Sequence, residues 1–154
     1  MQVRIITNSL ASTDVVSVHS GYQRYRKALL EAGVELYELK PSAAQKQDEA
    51  AKRRGDTAHG VSGSKRAALH AKSLVVDRRT LLVGSMNMDP RSELLNTEIA
   101  LVMRSATLSA QVVRLFEDVA RSSSYRVEPM DDGRLRWGGE APDVPTIEGS
   151  EPDA

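Results

Sequence analysis

A histidine and a lysine stand close together in the middle of this chain. His70 and Lys72 lie in the largely apolar run LHAKSLVV, which is followed by Asp77. A β-strand over residues 69–76 would place both side chains on one face, about 6–7 Å apart along the strand, because alternate residues of a strand share a face. An imidazole can attack phosphorus while an ammonium holds the phosphoryl oxygens. The pair therefore suits chemistry at a phosphodiester.

A polar turn and a late carboxylate follow this strand. Gly84, Ser85 and Asn87 form Gly-Ser-x-Asn, and Glu98 ends the segment DPRSELLNTE at residues 89–98. Glycine permits the close approach of another group, and Ser and Asn side chains can hydrogen-bond an anion. The alternative is a buried β-hairpin with one structural histidine and one lysine whose stem is buried. That alternative gives no reason for Gly-Ser-x-Asn or for Glu98.

The complete pattern, HxKxxxxDxxxxxxGSxN from His70 to Asn87, resembles the signature of the phospholipase D superfamily. The segment from Asp89 to Glu98 is similar to the bacterial cardiolipin-synthase branch. So are TNSLASTD…VHSGYQRYRKALLEAGVELYE near the start and YRVEPMDDGRLRW near the end. The resemblance covers nearly all of residues 1–137 and corresponds to the C-terminal half of an enzyme with two such motifs.

The resemblance implies a role for each motif residue. His70 would be the nucleophile and form a phosphohistidine, since neutral imidazole attacks well and also leaves well. Lys72 and Asn87 would bind the phosphate oxygens. Ser85 would either bond the phosphate or fix the turn after Gly84. Glu98 would hold the His70 ring in one tautomer, as the carboxylate of a catalytic triad does.

Three further residues belong to the candidate site with their roles left open. Asp77 is part of the catalytic motif, but at the end of a strand it is equally a turn-capping carboxylate. Arg91 either anchors its loop or meets the substrate. His19, within VHSGY, is a candidate pocket residue, although Gly21 stands where a second motif would have a lysine. The chain therefore contains one catalytic motif.

Composition is that of an ordinary globular protein, with 40% hydrophobic and 27% charged residues and a formal net charge of zero. A neutral chain has no global field that attracts nucleic acid or anionic lipid. There are no cysteines, which excludes disulfides and fits a reducing, cytoplasmic compartment. We find no apolar run long enough to span a membrane and no signal peptide. The resemblance implies neither a metal nor a cofactor.

The order of secondary-structure signals predicts an α/β fold. A strand at residues 2–7 precedes a helix from Ser20, which has capping-box spacing with Gln23, to the natural stop at Gly33. A strand at 34–39 follows, and this β-α-β order implies parallel pairing. Further strands are expected at 81–85 and 96–103, a helix at 107–123 and a hairpin at 125–137. The resemblance implies a phospholipase D-like half-domain, a mixed sheet flanked by helices.

The domain division follows from the resemblance for residues 1–137 and from composition for the loop and the tail. Residues 1–137 form the predicted catalytic domain. Residues 40–68 lack apolar periodicity and form a predicted mobile loop, whose cations between Lys46 and Arg66 could meet a phosphate or an anionic surface. From residue 138 to 154, Pro, Gly and acidic residues dominate and predict a disordered tail.

These observations favour a cardiolipin synthase-like phosphatidyltransferase or phosphodiesterase that acts on phospholipids at the inner face of the cell membrane as a peripheral protein. Because a second histidine is needed to protonate the leaving alkoxide, the site requires either a matching N-terminal half or a homodimer mate. Two alternatives remain open. One is a homodimeric nuclease or phosphodiesterase, which the neutral charge disfavours. The other is a truncated, inactive fragment that binds lipid or a partner.

Overall fold

The computed structural model describes residues 2–13, 16–40, 69–87, 92, 94–139 and 146–152. The chain divides into two compact units, the first drawn from residues 1–69 and 120–154 and the second from residues 70–119. In chain order the elements are β1 (Arg4–Asn8), α1 (Val16–Glu31), β2 (Glu35–Leu39), β3 (Lys72–Val76), β4 (Thr80–Gly84), β5 (Ala100–Arg104), α2 (Ala106–Ser123), β6 (Ser124–Pro129), β7 (Leu135–Gly138) and β8 (Ile147–Glu148).

The first unit contains a five-stranded sheet in the order β1-β2-β6-β7-β8. Strands β1 and β2 pair in parallel, with Arg4 opposite Glu35 and Asn8 opposite Leu39, whereas the pairs from β2 to β8 are antiparallel. The α/β class, the mixed sheet and the parallel pairing across α1 are therefore confirmed. The predicted hairpin is also confirmed as β6 and β7.

The core of the first unit lies where α1 covers this sheet. Its buried members are Leu36, Tyr125, Val127 and Trp137, and Leu29 and Leu30 of α1 are among the half-buried side chains packed against them. Alternate residues of a strand face the same side, so Leu36 on β2 and Val127 on β6 meet directly as register partners. Apolar burial of this kind is the main force that holds the helix on the sheet.

The two ends of α1 show what the sequence could and could not predict. Gly33 has φ 81°, and the helix ends before it as expected for a residue that adopts the left-handed region freely. The predicted start at Ser20 is wrong, because the helix already begins at Val16. His19, in the added turn, lies 3.2 Å from the carboxylate of Glu151, a contact between residues far apart in the chain. Such tertiary contacts override a local capping signal.

The second unit is a three-stranded antiparallel sheet, β3-β4-β5, followed by α2. Lys72 pairs with Gly84, which in turn pairs with Ala100. The predicted first strand is too long at its start, because the ladder begins at Lys72 and leaves His70 outside it. The third strand also begins later than predicted, at Ala100. In both places the residues outside the ladder belong to the candidate site.

The structure bears on the predicted tail but not on most of the predicted loop. Residues 41–68 of the predicted loop lie outside the described residues. Within the predicted disordered tail, Ile147–Glu148 forms β8 and pairs with β7, and Pro152 is buried, so the expectation of disorder is wrong for this segment. Composition predicted the polar character of the segment but not its contacts with the sheet. Among the described residues, no helix is long and apolar enough to cross a membrane.

Candidate active site

His70 and Lys72 lie at the start of β3. His70 is exposed and precedes the ladder, while Lys72 is half-buried and is the first residue in it. The Lys72 ammonium Nζ donates a hydrogen bond to the main-chain carbonyl of His70 at 2.9 Å. The cation is thus held beside the backbone of the candidate nucleophile. A phosphate that reaches His70 would meet this ammonium as an alternative partner.

Ser85, Asn96 and Glu98 form a hydrogen-bonded group at the end of β4. The Ser85 hydroxyl donates to Glu98 Oε2 at 2.5 Å, and the Asn96 amide donates to Glu98 Oε1 at 3.3 Å. Both oxygens of the carboxylate therefore have donors. Hydrogen bonds of this kind stabilise the ionised form of a carboxylate and fix its orientation. In this structure Glu98 is held by Ser85 and Asn96.

The turn that presents Ser85 is built by a close approach of two chain segments. The Ser85 N–H donates to the Ile99 carbonyl at 2.9 Å, and the Ile99 N–H donates to the Ser85 hydroxyl at 3.1 Å. A Cβ on Gly84 would lie 2.6 Å from the Ile99 carbonyl oxygen, so this position has no room for a side chain. The expectation that Gly84 permits a close approach is confirmed, and the approaching group is the chain that enters β5.

The β3–β4 hairpin separates Asp77 from this group. Asp77 and Arg78 have φ of 51° and 53°, and the Arg79 N–H donates to the Val76 carbonyl at 3.1 Å, which closes the turn. Aspartate is one of the few residues that adopt positive φ at modest cost. The turn lies at the opposite end of the hairpin from Lys72, about 16 Å away by the rise of five strand residues. This placement favours the turn role for Asp77.

Three predicted site residues remain, Asn87, Arg91 and His19. Asn87 is exposed, two residues after Ser85. Arg91 lies outside the described residues. His19 belongs to the first unit, where it is buried and contacts Arg26 at 3.3 Å and Glu151 at 3.2 Å. These neighbours place His19 in a buried ionic cluster.

The ionic cluster around Glu38 is the strongest electrostatic feature of the first unit. Glu38 is fully buried and accepts hydrogen bonds from the Tyr22 hydroxyl at 2.9 Å and from Trp137 Nε1 at 2.8 Å. Arg26 Nε lies 3.0 Å from Glu38 Oε1, and Arg26 Nη2 forms an ion pair with Glu151. The Arg26 guanidinium also lies over the rings of Tyr22 and Trp137.

The pKa values of this cluster follow from burial and charge. Burial raises the pKa of the Glu38 carboxyl, an effect that Arg26, Trp137 and Tyr22 oppose. Burial also raises the pKa of the Tyr22 hydroxyl, and the charge of Glu38 adds to that effect. Burial alone would raise the pKa of Glu151, but Arg26 and His19 outweigh it and hold the value below the ordinary range.

Sequence reasoning missed two asparagines. Asn96 and Glu98 would share one face of the predicted strand at 96–103, and that periodicity is the available signal for their contact. Asn8 directly follows the predicted strand at 2–7, and its side chain bonds both main-chain groups of Leu69. No sequence signal connects residues so far apart in the chain.

Comparison with known proteins identifies the family of the chain. A family described as "Cardiolipin synthase, PLD-like domain" matches residues 1–120 of the chain. The chain belongs to this family. The match includes His70 and Lys72, the turn at Ser85 and the segment that ends at Glu98.

Curated relatives support membership of the PLD-like family. The chain is 42% identical to cardiolipin synthase C of Escherichia coli (strain K12) over 139 residues, which are 89% of this chain and 28% of that protein. It is 32% identical to an uncharacterized protein of Helicobacter pylori (strain ATCC 700392 / 26695) over 152 residues, 94% of this chain and 28% of that protein. It is 46% identical to cardiolipin synthase A of Erwinia tasmaniensis over 55 residues, 35% of this chain and 11% of that protein. No solved structure matches the chain.

The chain spans about a quarter of the length of the curated relatives that match most of it, 28% in each of the first two. Its similarity to the PLD-like family therefore describes one part of a longer relative.

Proposed function

We propose that this chain supplies the nucleophilic half of a phosphatidyltransferase of the cardiolipin synthase type, with a phospholipid phosphodiester as substrate. The observation that carries the proposal is the pairing of Lys72 with Gly84 in the β3–β4 ladder. Neighbouring strands lie about 4.8 Å apart, so this register brings the His-x-Lys strand beside the Gly-Ser-x-Asn turn. This register supports a site in which a nucleophile, a cation and hydrogen-bond donors act at one end of one sheet.

The reaction would proceed in two displacements at phosphorus. An imidazole nitrogen of His70 attacks, a P–N bond forms, and the P–O bond to the leaving alkoxide breaks. Lys72 turns from the His70 carbonyl to a phosphoryl oxygen and stabilises the negative charge that grows there. A hydroxyl of a second lipid, or water, then attacks the phosphohistidine and releases His70. Asn87 donates to the same phosphate.

Glu98 would set the orientation of the His70 ring once a substrate is bound. Its carboxylate is already held by Ser85 and Asn96, so the group that meets the imidazole would be rigid. A fixed carboxylate stabilises the imidazole tautomer in which the attacking nitrogen is unprotonated. Ser85, whose hydroxyl is engaged by Glu98 and by the Ile99 N–H, would support the turn and leave the phosphate to Lys72 and Asn87.

A second phospholipase D-like half, in the same assembly or as a second copy of this chain, would protonate the leaving alkoxide. The sheet face that carries Lys72 supports an interaction of this kind. By the register of β3, β4 and β5, that face also carries Leu74, Val76 and Val102, which are 42%, 47% and 60% exposed. Val83 and Leu101, on the opposite face, are also exposed, and grouped apolar side chains of this kind are typical of protein contact sites.

The lipid substrate implies contact with a membrane surface. We expect a peripheral association at the inner face of the cell membrane. The segment at residues 41–68, with its cations between Lys46 and Arg66, would contribute to this contact by attraction to anionic headgroups.

The decisive experiment uses a phosphodiester with a nitrophenyl leaving group, mixed with the purified chain. Nitrophenolate leaves without protonation, so this substrate needs no second histidine and tests His70 by itself. We expect a burst of nitrophenolate of about one equivalent per chain, with the phosphoryl group attached to His70 by mass spectrometry. The His70→Ala variant should lose the burst by about a thousandfold or more.

Comparing the nitrophenyl ester with the natural lipid, and measuring the mass of the protein by light scattering, then distinguishes a homodimer from a chain that needs a different second half. A dimer by light scattering that turns over phosphatidylglycerol vesicles would complete its site by symmetry. A monomer that gives the burst but spares the natural lipid would need a different second half. A wild-type chain with no burst and no label at His70 would contradict the proposed nucleophile.

A further inference from the structure

The side chain of Asn8 makes an unusual contact with the residue that precedes His70. Its Oδ1 accepts a hydrogen bond from the Leu69 N–H at 2.7 Å, and its Nδ2 donates to the Leu69 carbonyl at 3.1 Å. One primary amide thus satisfies both main-chain groups of one residue. Asn8 and Leu69 both belong to the first unit.

This contact restrains the backbone that leads into His70. The Leu69 carbonyl and the His70 N–H belong to the same peptide group, which is planar. A hydrogen bond to that carbonyl therefore fixes the plane from which the His70 side chain projects. On the other side of His70, its own carbonyl accepts from Lys72 Nζ.

The restraint matters because the sheet does not supply one. The β3 ladder begins at Lys72, so His70 has no strand pairing to another described residue that would fix its backbone. Its side chain is also exposed, so close packing does not fix the ring. Asn8 makes two hydrogen bonds to the preceding residue and is therefore well placed to limit the orientations of the imidazole.

Asn8 is itself firmly held. It is the last residue of β1 and pairs with Leu39. The turn that follows is closed by Ser9 and Ser12, both buried, through Ser9 N–H to the Ser12 hydroxyl at 2.8 Å and Ser12 N–H to the Ser9 carbonyl at 3.2 Å. Strand pairing on one side and a closed turn on the other fix the Asn8 backbone.

The residue type fits this task. An amide offers a donor and an acceptor at the spacing of a main-chain peptide, whereas aspartate offers acceptors alone and alanine offers neither. We infer that Asn8 is a positioning residue that orients the His70 nucleophile by holding the Leu69–His70 peptide. This inference rests on the proposed function for its catalytic meaning.

The test combines NMR with the nitrophenyl phosphodiester burst, on Asn8→Ala and Asn8→Asp. In Asn8→Ala we expect the Leu69 amide to exchange about tenfold faster, which corresponds to the loss of one net hydrogen bond. The χ1 coupling constants of His70 should indicate a single rotamer in wild type and an average over several rotamers in Asn8→Ala. The burst rate constant should fall about ten- to a hundredfold while the apparent affinity for the ester stays the same, because misplacement affects the attack and not the binding.

Asn8→Asp keeps the acceptor for the Leu69 N–H and loses the donor. Its Leu69 exchange rate, His70 couplings and burst rate constant should therefore lie between those of wild type and Asn8→Ala. Gln2→Ala is the matched control, since it removes a side-chain amide that bonds Glu35 at the other end of the β1 region. It should leave the His70 couplings and the burst unchanged.

The outcomes separate the inference from the function. If Asn8→Ala retains the wild-type His70 couplings, the positioning role is wrong, whatever its effect on the melting temperature. If the wild-type chain gives no burst, the proposed nucleophile fails, and the couplings still decide whether Asn8 orients the ring. A burst that weakens through ester affinity alone would also contradict the inference.

Discussion

The two units treat the same kinds of side chain in opposite ways. In the first unit, Glu38 is fully buried, and His19 and Arg26 are nearly so, within a cluster of hydrogen bonds and ion pairs. In the second unit, His70 is exposed, Glu98 is half-buried, and Lys72 bonds the main-chain carbonyl of His70. Histidine, carboxylate and cation occur in both places.

Burial separates their tasks. A buried charge must be paired, and once paired it contributes to the fold and has little capacity for a ligand. A charge at an exposed strand end can exchange its partner for a substrate oxygen at small cost. His19 thus belongs to the fold of the first unit, whereas His70 keeps the accessibility that a nucleophile needs. Residue type alone does not distinguish the two histidines.

The largest effect should come from the buried cluster. Glu38→Ala removes the acceptor of the Tyr22 hydroxyl and of Trp137 Nε1 and one partner of Arg26. We expect a loss of about 3–5 kcal/mol in the free energy of unfolding, measured by denaturant titration.

The matched control for Glu38→Ala is Glu128→Ala. Glu128 forms its ion pairs with Arg126 and Arg136 at the surface, so its removal should cost about 1 kcal/mol or less. Equal losses in the two variants would show that burial does not distinguish the cluster from a surface pair.

Lys72→Met should lower the reaction rate and leave the stability nearly unchanged, the reverse of Glu38→Ala. Removal of the ammonium should lower the phosphodiester burst rate about a hundred- to a thousandfold, because the charge on the phosphoryl oxygens loses its partner. The free energy of unfolding should change by less than about 1 kcal/mol, since Lys72 bonds a carbonyl near the surface.

Arg79→Met is the control for charge alone. Arg79 is an exposed cation on the same hairpin, at the turn between β3 and β4. A similar fall in the burst for both variants would mean that the general field of the hairpin, and not the position of Lys72, accounts for the rate.

Local patterns predicted the elements better than the contacts between them. Period-two alternation placed β2, and the left-handed preference of Gly33 predicted the end of α1. The motif spacing predicted His70, Lys72 and Ser85 as site residues, and all three lie in or next to the β3–β4 hairpin. Asn8 and Glu151 act on residues 61 and 132 positions away, and no local pattern connects them. Tertiary contacts of this kind also moved the start of α1 and ordered the segment at 146–152.

The smallest effect should be a pH-dependent one at Glu151. Arg26 and His19 hold the pKa of the Glu151 carboxyl below its ordinary value despite its burial. A carboxyl whose pKa is lower in the folded state contributes stability above its unfolded pKa of about 4.3, and that stability is lost as the pH falls through the folded pKa. Glu151→Gln should therefore cost about 1–2 kcal/mol at neutral pH, between the values for surface and buried pairs.

The two stability curves should converge in acid, where the wild-type carboxyl is protonated and resembles the amide. The charge of Glu151 also raises the pKa of Glu38, so Glu151→Gln lowers that pKa, and the difference between the two curves includes this coupling. Urea titrations of wild type and Glu151→Gln across this pH range measure the difference directly. A constant difference at every pH would show that Glu151 acts through packing, and the buried cluster would then owe its stability to Glu38 and Arg26.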